Sequence, residues 1–223
     1  MGEAQWFDVD HYLSEVLVGA DPALEAALAA SDAADLPAIS VTPNQGKLLK
    51  ILASSVSARA ILEIGTLGGY STIWLARALP PDGHLITLEA SAKHAEVARS
   101  NLANAGLAER VEIRIGRALE TLPRLAAEGK GPFDLIFVDA DKQSNPEYFQ
   151  WALTLSHPGS LIIIDNIVRG GAVTDAKSHD PDIIGIRRLN ELMGREPRVC
   201  ATAMQTVGSK GYDGFAIALV VAP

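Results

Sequence analysis

The sequence predicts an α/β fold with a sheet of seven mostly parallel strands, helices on both faces and a C-terminal antiparallel hairpin. Two observations support this prediction. From residue 60 onward, short apolar segments alternate with segments of helical periodicity, and two strand-like segments flank a glycine-rich turn near the end of the chain. Repeated strand–helix units with apolar strands are typical of a parallel sheet that is covered on both sides.

The first five predicted strands are short and largely apolar, as expected for buried strands; they are residues 61–64, 85–88, 111–115, 135–138 and 161–164. The predicted helices between and after them are residues 71–79, 92–105, 119–127, 147–155 and 183–193. Residues 198–206 and 215–221 flank the turn at 208–214 and predict the hairpin.

A helical segment, residues 1–58, is predicted to precede the core at 59–223, and the two together form one domain. Leu13, Val16 and Leu17 fit one helix face, and Asp21-Pro22 has the composition of a helix cap and first turn. No chemical motif occurs in this segment. We expect it to pack against the core and against a second subunit.

Composition limits the possible functions. A hydrophobic content of 48% with 21% charged residues indicates a globular protein, and a net charge of −8 disfavours a nucleic-acid partner. The single cysteine, Cys200, cannot form an internal disulfide. Neither a signal peptide nor a membrane-length apolar run is visible. We therefore expect a cytoplasmic protein with a small-molecule substrate and no membrane partner.

A glycine-rich motif joins the first predicted strand to the following helix. It departs from the dinucleotide pattern G-x-G-x-x-G because Leu67 and Tyr70 replace two glycines, but it matches E-x-G-x-x-x-G through Glu63, Gly65 and Gly69. An acid beside a pyrophosphate would be repelled, whereas it suits the ammonium and sulfonium groups of S-adenosylmethionine. The motif resembles the first motif of class I methyltransferases; the alternative is an ordinary glycine-rich turn.

Other polar residues follow the remaining predicted strands, at the sheet edge where α/β proteins bind ligands. Glu89 is placed to accept hydrogen bonds from ribose hydroxyls, although capping of the next helix near Ser91 is an alternative. In Gly116-Arg117-Ala118 the small residues suit either an adenine contact or a plain helix entry, and we expect Arg117 to be a surface charge.

Two carboxylates and an amide follow the fourth and fifth strands, in Asp139-Ala-Asp-Lys142 and Asp165-Asn166. Hard oxygen ligands of this kind suit Mg²⁺, and the absence of His and Cys argues against zinc. For Asp141 we expect helix capping rather than metal ligation, and Asn145 is an alternative cap. Lys142 is either a general base or a surface lysine paired with Asp141.

The chain resembles the cation-dependent O-methyltransferases, the group of catechol and caffeoyl-CoA O-methyltransferases. The resemblance rests on three motifs: E-x-G-T-x-x-G-Y-S at residues 63–71, D-A-D-K at 139–142 and D-N at 165–166. The resemblance covers about residues 40–223 and implies a Rossmann-like seven-stranded methyltransferase sheet, a homodimer and catalysis by Lys142. Metal ligation then falls on Asp139, Asp165 and Asn166. Cofactor contacts fall on Val41, Glu63, Gly65, Thr66, Ser71, Glu89, Ala118 and Asp139.

The predicted reaction is methyl transfer from S-adenosylmethionine to a small hydroxylated acceptor, with Mg²⁺ or another divalent cation such as Mn²⁺ or Ca²⁺. Three protein ligands leave positions on an octahedral ion for two adjacent oxygens, which favours a vicinal dihydroxy aromatic. Residues 168–182 are the predicted mobile loop that shapes the acceptor pocket. The alternatives are a cofactor-binding protein without catalysis and a methyltransferase that acts on a non-catechol or RNA acceptor.

Overall fold

The computed structural model describes residues 2–222 and contains one seven-stranded sheet in the order β3-β2-β1-β4-β5-β7-β6. The strands are β1 Ala60–Ile64, β2 His84–Glu89, β3 Val111–Ile115, β4 Leu135–Val138, β5 Leu161–Asp165, β6 Val199–Gly208 and β7 Gly211–Val220. β1 to β5 are parallel, and β7 runs antiparallel to both β5 and β6. The predicted fold class is confirmed.

Helices cover both faces of the sheet: α1 Glu3–Leu13, α2 Pro22–Ala33, α3 Pro43–Ser55, α4 Tyr70–Ala76, α5 Ala92–Asn104, α6 Ala118–Ala127, α7 Asn145–Thr154 and α8 Pro181–Arg195. Neighbouring residues of one strand point to opposite faces, so that Ile61 packs in the core beside α3 and α4, whereas Leu62 packs beside α6 to α8. Burial on both faces is the reason that the inner strands are largely apolar. None of the helices in residues 2–222 is long and apolar enough to cross a membrane.

The N-terminal segment is helical as predicted, and its helices α2 and α3 pack on the core, whereas the helix face formed by Leu13, Val16 and Leu17 does not. Leu13, Val16 and Leu17 are 38%, 61% and 57% exposed, and a π-helical turn, Ser14–Val18, interrupts the segment. The expected cap is present, since the Asp21 carboxylate accepts hydrogen bonds from two N–H groups of the first turn of α2. The expected packing of this segment against the core is made by α2 and α3, and its packing against a second subunit stays a prediction.

The C-terminal hairpin is tighter than predicted. β6 extends to Gly208 and β7 starts at Gly211, so most of the predicted turn at 208–214 is strand. β7 pairs with β5 in a register that sets Asp165 opposite Phe215. Consequently the hairpin turn lies beyond the sheet edge at which the parallel strands end.

Candidate active site

A cavity of about 650 Å³ opens at the carboxyl ends of the parallel strands. It is lined by the turn after β1, the end of β2, the start of α6 and the loop after β4, and also by residues 37 and 39–41, Asn166 and Arg169. A volume of this size is typical of a small-molecule site, and its position is the one expected for an open α/β sheet.

The glycine turn brings the backbone after β1 against the end of β4. Gly65 has φ +102°, and a Cβ at this position would lie 2.1 Å from the Asp139 carbonyl oxygen, so only glycine fits. The Glu89 carboxylate holds the turn by accepting hydrogen bonds from the N–H groups of Leu67 at 2.8 Å and Ser91 at 2.8 Å. Glu89 is 8% exposed and lines the cavity, and Ser91 itself caps α5 through its hydroxyl.

Glu63 lies beneath the turn and does not line the cavity, although its hydrogen-bond partner Ser71 does. It is fully buried between β1 and α4 and accepts hydrogen bonds from the hydroxyls of Ser71, Thr72 and Thr87. Burial raises the pKa of Glu63 to about 7 despite these three donors. The side chain therefore connects β1 to α4 and β2 from behind the cavity wall.

Lys142 is a buried residue of the cavity wall. It is 6% exposed, and its Nζ donates a hydrogen bond to Asp139 Oδ1 at 2.8 Å. The alternative interpretation, a surface lysine paired with Asp141, is therefore wrong. The pair brings a cation and an anion together at the end of β4.

Asp165 lies behind the cavity surface and is 5% exposed. Its Oδ2 accepts a hydrogen bond from Gln45 Nε2 at 2.6 Å, and its Oδ1 accepts one from the Asn166 N–H. Burial, together with the charge of Asp139, raises the pKa of Asp165 well above its usual range. Asn166 adopts φ +58° and lines the cavity.

The side chains of Asp139, Asp165 and Asn166 suit a hard divalent cation. The carboxylates of Asp139 and Asp165 repel each other, and a bound cation would relieve this repulsion. The amide oxygen of Asn166 completes a set of oxygen donors. Within residues 2–222, no cluster made only of His, Cys, Asp and Glu is arranged to hold a metal ion. Asp139, Asp165 and Asn166 differ from such a cluster because the third donor is an amide.

The predicted caps of α7 are wrong. The Asp141 side chain makes no capping bond and instead accepts a hydrogen bond from the Tyr148 hydroxyl. Asn145 is the first residue of α7 and is fully buried. Asp141 and Tyr148 both line the cavity, where burial and the hydrogen bond to Asp141 raise the pKa of Tyr148.

Nearly all predicted site residues meet in this one cavity. It is lined by Val41, Gly65, Thr66, Ser71, Glu89, Ala118, Asp139, Lys142 and Asn166, whereas Glu63 and Asp165 lie directly behind its wall. Arg117 is exposed, as predicted, and also contributes to the cavity. Sequence reasoning missed His94, Ile39 and Tyr148, which follow no strand end; Arg169 lies in the loop predicted to shape the acceptor pocket.

A sheet of this topology with a cavity at its strand ends defines an α/β protein of the class that binds a cofactor there. The family model described as O-methyltransferase matches residues 18–219. The chain belongs to the O-methyltransferase family and is an enzyme, which confirms the resemblance seen in its sequence.

Relatives span the same length. A catechol O-methyltransferase of Mycobacterium tuberculosis is 58% identical over 96% of this chain and 95% of the relative. The O-methyltransferase of Bacillus cereus, solved in complex with SAH, is 57% identical with a TM-score of 0.97, covering 98% of this chain and 100% of that one. TomG from Streptomyces achromogenes, involved in tomaymycin synthesis and solved with SAM, is 53% identical with a TM-score of 0.96 and full coverage of both, 100% and 100%.

Proposed function

We propose that this protein is an S-adenosylmethionine-dependent and divalent-cation-dependent O-methyltransferase whose acceptor is a small vicinal dihydroxy aromatic. The observation that carries the proposal is the convergence of Glu89, Asp139, Lys142 and Asn166 on one cavity, with Asp165 directly behind it. SAH and SAM are bound in similar solved structures, and the relative from Mycobacterium tuberculosis is named for catechol.

The cofactor would lie along the turn after β1. In this arrangement Glu89 receives the ribose hydroxyls, while Gly65, Thr66, Ser71 and Ala118 offer backbone and hydroxyl groups along the same wall. Val41 closes the cavity from the N-terminal segment. Glu63 supports the turn through Ser71 rather than by direct contact, since its carboxylate is already bonded to three hydroxyls.

Asp139, Asp165 and Asn166 would hold Mg²⁺, or Mn²⁺ or Ca²⁺ in its place. When bound, such a cation lowers the pKa of a coordinated hydroxyl and fixes its oxygen. Gln45 and the Asn166 N–H orient Asp165 by occupying one lone pair on each of its oxygens. The rigidity of these neighbours matters because a misplaced reacting group can cost about a hundredfold in rate.

Lys142 is the group that we assign to proton removal. After Nζ has released its own proton to solvent, the neutral amine takes the hydroxyl proton, and the resulting oxygen attacks the sulfonium methyl in line. An O–C bond forms while the C–S bond breaks, and the electron pair stays on sulfur to give the neutral thioether. Asp139 orients the amine through the 2.8 Å hydrogen bond. Lys142→Met should lower kcat by about a hundredfold to ten thousandfold, the usual contribution of a general base.

The proposal is tested by three paired measurements. A chelator should abolish activity and Mg²⁺ should restore it; Asp165→Ala should lose both turnover and calorimetric Mg²⁺ binding while it keeps cofactor affinity. Asp32→Ala, an exposed acid on α2, is the matched control. A vicinal dihydroxy acceptor should be methylated at one oxygen and about a hundredfold faster than its monohydroxy analogue.

Full activity after thorough metal removal would refute the cation dependence. Equal rates on the two acceptors would refute chelation of the acceptor. Cofactor binding without turnover on any hydroxylated aromatic would favour the non-catalytic alternative or an acceptor of another class, including RNA. An RNA acceptor is disfavoured by the net charge of −8.

The exposed apolar side chains of the N-terminal segment favour a homodimer. Phe7, Tyr12, Val16 and Leu17 are 55%, 61%, 61% and 57% exposed along α1 and the π-helical turn. Exposed apolar groups gathered on one segment mark an interaction surface, and a second copy of the chain would cover them. Light scattering should give twice the chain mass, and Val16→Asp should shift it towards the monomer; a monomeric parent protein would refute this assignment.

A further inference from the structure

One cationic side chain, Arg169, lines the cavity near the end of β5, three strands from β2, which ends in Glu89, and a second, Lys210, lies near the cavity without lining it. Arg169 lines the cavity three residues beyond Asn166. Lys210 occupies the turn between β6 and β7, which the strand register places at the same edge of the sheet. Neither residue has a part in the proposed chemistry, so their charges call for another role.

The position of Arg169 is fixed, but its guanidinium is weakly engaged. Its N–H and that of Val168 both donate to Asp213 Oδ1 at 3.0 Å, which holds the backbone at φ +53°. The guanidinium approaches Asp182 only at 3.8 Å, and the two side chains are 41% and 37% exposed. Such a pair leaves most of the planar donor fork free for a ligand.

Lys210 ties the hairpin turn to the apolar part of the cavity. Its Nζ donates a hydrogen bond to the Ala38 carbonyl at 3.0 Å, between Pro37 and Ile39, which both line the cavity. Burial lowers the pKa of Lys210, and the charge of Asp139 opposes this change, so the ammonium group is within electrostatic reach of the cavity. An aromatic ring seated against these apolar side chains would extend towards both cations.

We propose that the acceptor carries an anionic substituent, a carboxylate, that binds Arg169 through paired hydrogen bonds. This inference rests on the proposed function. Lys210 adds longer-range attraction and holds residues 37–39 in place. Two acids of the cavity lining already have partners, since Asp139 accepts a hydrogen bond from Lys142 at 2.8 Å and Asp141 accepts one from the Tyr148 hydroxyl. Since the whole chain carries a net charge of −8, an anionic acceptor requires local cations of this kind.

The test uses three acceptors that share the vicinal dihydroxy ring and differ in side-chain charge: dihydroxyphenylacetate, ethylcatechol and dopamine. We expect the parent enzyme, with S-adenosylmethionine and Mg²⁺, to show the highest kcat/KM on dihydroxyphenylacetate. Arg169→Gln should lower that value by about tenfold to 150-fold, the range for a hydrogen bond to a charged group, and leave ethylcatechol within about twofold. Arg188→Gln is the matched control, because Arg188 also forms a long ion pair, at 3.7 Å with Glu147, and does not line the cavity.

Each outcome has a separate meaning. Equal kcat/KM on the three acceptors would overturn this inference and leave the proposed function intact. An equal loss on all three in Arg169→Gln would also overturn it, since Arg169 would then support the fold and not the acceptor. No turnover of any of the three would overturn the proposed function and the inference with it. Calorimetric titration of dihydroxyphenylacetate into the Mg²⁺ and SAH complex should show the same dependence on Arg169.

Discussion

Replacing Glu89 with alanine should weaken S-adenosylmethionine binding by about 1.5–3 kcal/mol, the range for hydrogen bonds to a charged group. The structure explains why the loss should be this large. The carboxylate is 8% exposed and is held by the N–H groups of Leu67 and Ser91, each at 2.8 Å, so it is already oriented before a ligand binds. An increase in Kd of about tenfold to 150-fold corresponds to this free energy.

The same substitution removes the acceptor that holds the glycine turn. Leu67 adopts φ +50°, an unfavourable conformation for a non-glycine residue, and the bond to Glu89 stabilises it. Glu89→Ala should therefore also lower the free energy of unfolding by about 1–3 kcal/mol, the cost of an unpaired buried donor. Glu89→Gln keeps one acceptor oxygen, so it should lose less affinity, on the order of a neutral hydrogen bond at 0.5–1.5 kcal/mol.

Calorimetry of cofactor binding measures the first effect, and urea denaturation without cofactor measures the second. Glu120→Ala removes an exposed acid from the first turn of α6, outside the cavity, and serves as the control for net charge. A folded Glu89→Ala variant that binds the cofactor as tightly as the parent protein would remove Glu89 from the cofactor site.

Two further predictions concern stability. A Cβ at Gly46 would lie 2.3 Å from the Trp74 ring, whereas nothing lies within 4 Å of a Cβ at Gly194. In urea denaturation, Gly46→Ala should therefore lower the free energy of unfolding by about 1–3 kcal/mol. Gly194→Ala should raise it by about 0.4–1 kcal/mol. Equal urea denaturation midpoints for the two variants would contradict this prediction. The hydrogen bond to Asp134 raises the pKa of His157 above 6.5, so its contribution to stability is complete below pH 6.5 and is lost as the pH rises through the folded pKa. The loss of stability with rising pH should be under about 1 kcal/mol because the His157 side chain is 38% exposed, and His157→Gln should make it smaller. Parallel profiles of unfolding free energy against pH for the parent protein and the variant would refute this prediction.

The sheet could be predicted because burial on both faces leaves a strong local pattern. The predicted bounds of β3 and β4 match those of the structure, and the bounds of β1, β2 and β5 differ by one residue at one or both ends. The helical segment at the N-terminus was predictable only as helix. Which face of α1 is exposed depends on the elements that pack against this helix, and helical periodicity alone does not identify them.

The sequence allowed most residues of the site to be predicted, but few of their hydrogen-bond partners. A polar residue at the end of a parallel strand, or just past it, reaches the cavity edge, which located Glu89, Asp139 and Asn166. Glu63 differs because it lies before the last residue of β1, where its register partner Thr87 and the hydroxyls of α4 surround it. The partner of Asp165 is Gln45, which is 120 residues away, and no local pattern connects the two.

The two sides of the cavity are therefore encoded differently. In the proposed arrangement, the cofactor side is formed mainly by residues at strand ends, whereas the acceptor side is assembled from segments far apart in sequence. The Asp10 carboxylate binds Asn44 Nδ2 at 2.7 Å and the Ser209 N–H at 3.0 Å, and Lys210 then reaches Ala38. Substitutions in the N-terminal segment or in the hairpin turn can thus alter the acceptor side while they leave Glu89 and the glycine turn unchanged. We therefore expect acceptor choice to depend mainly on this side, whereas the sequence motifs lie mainly at the strand ends.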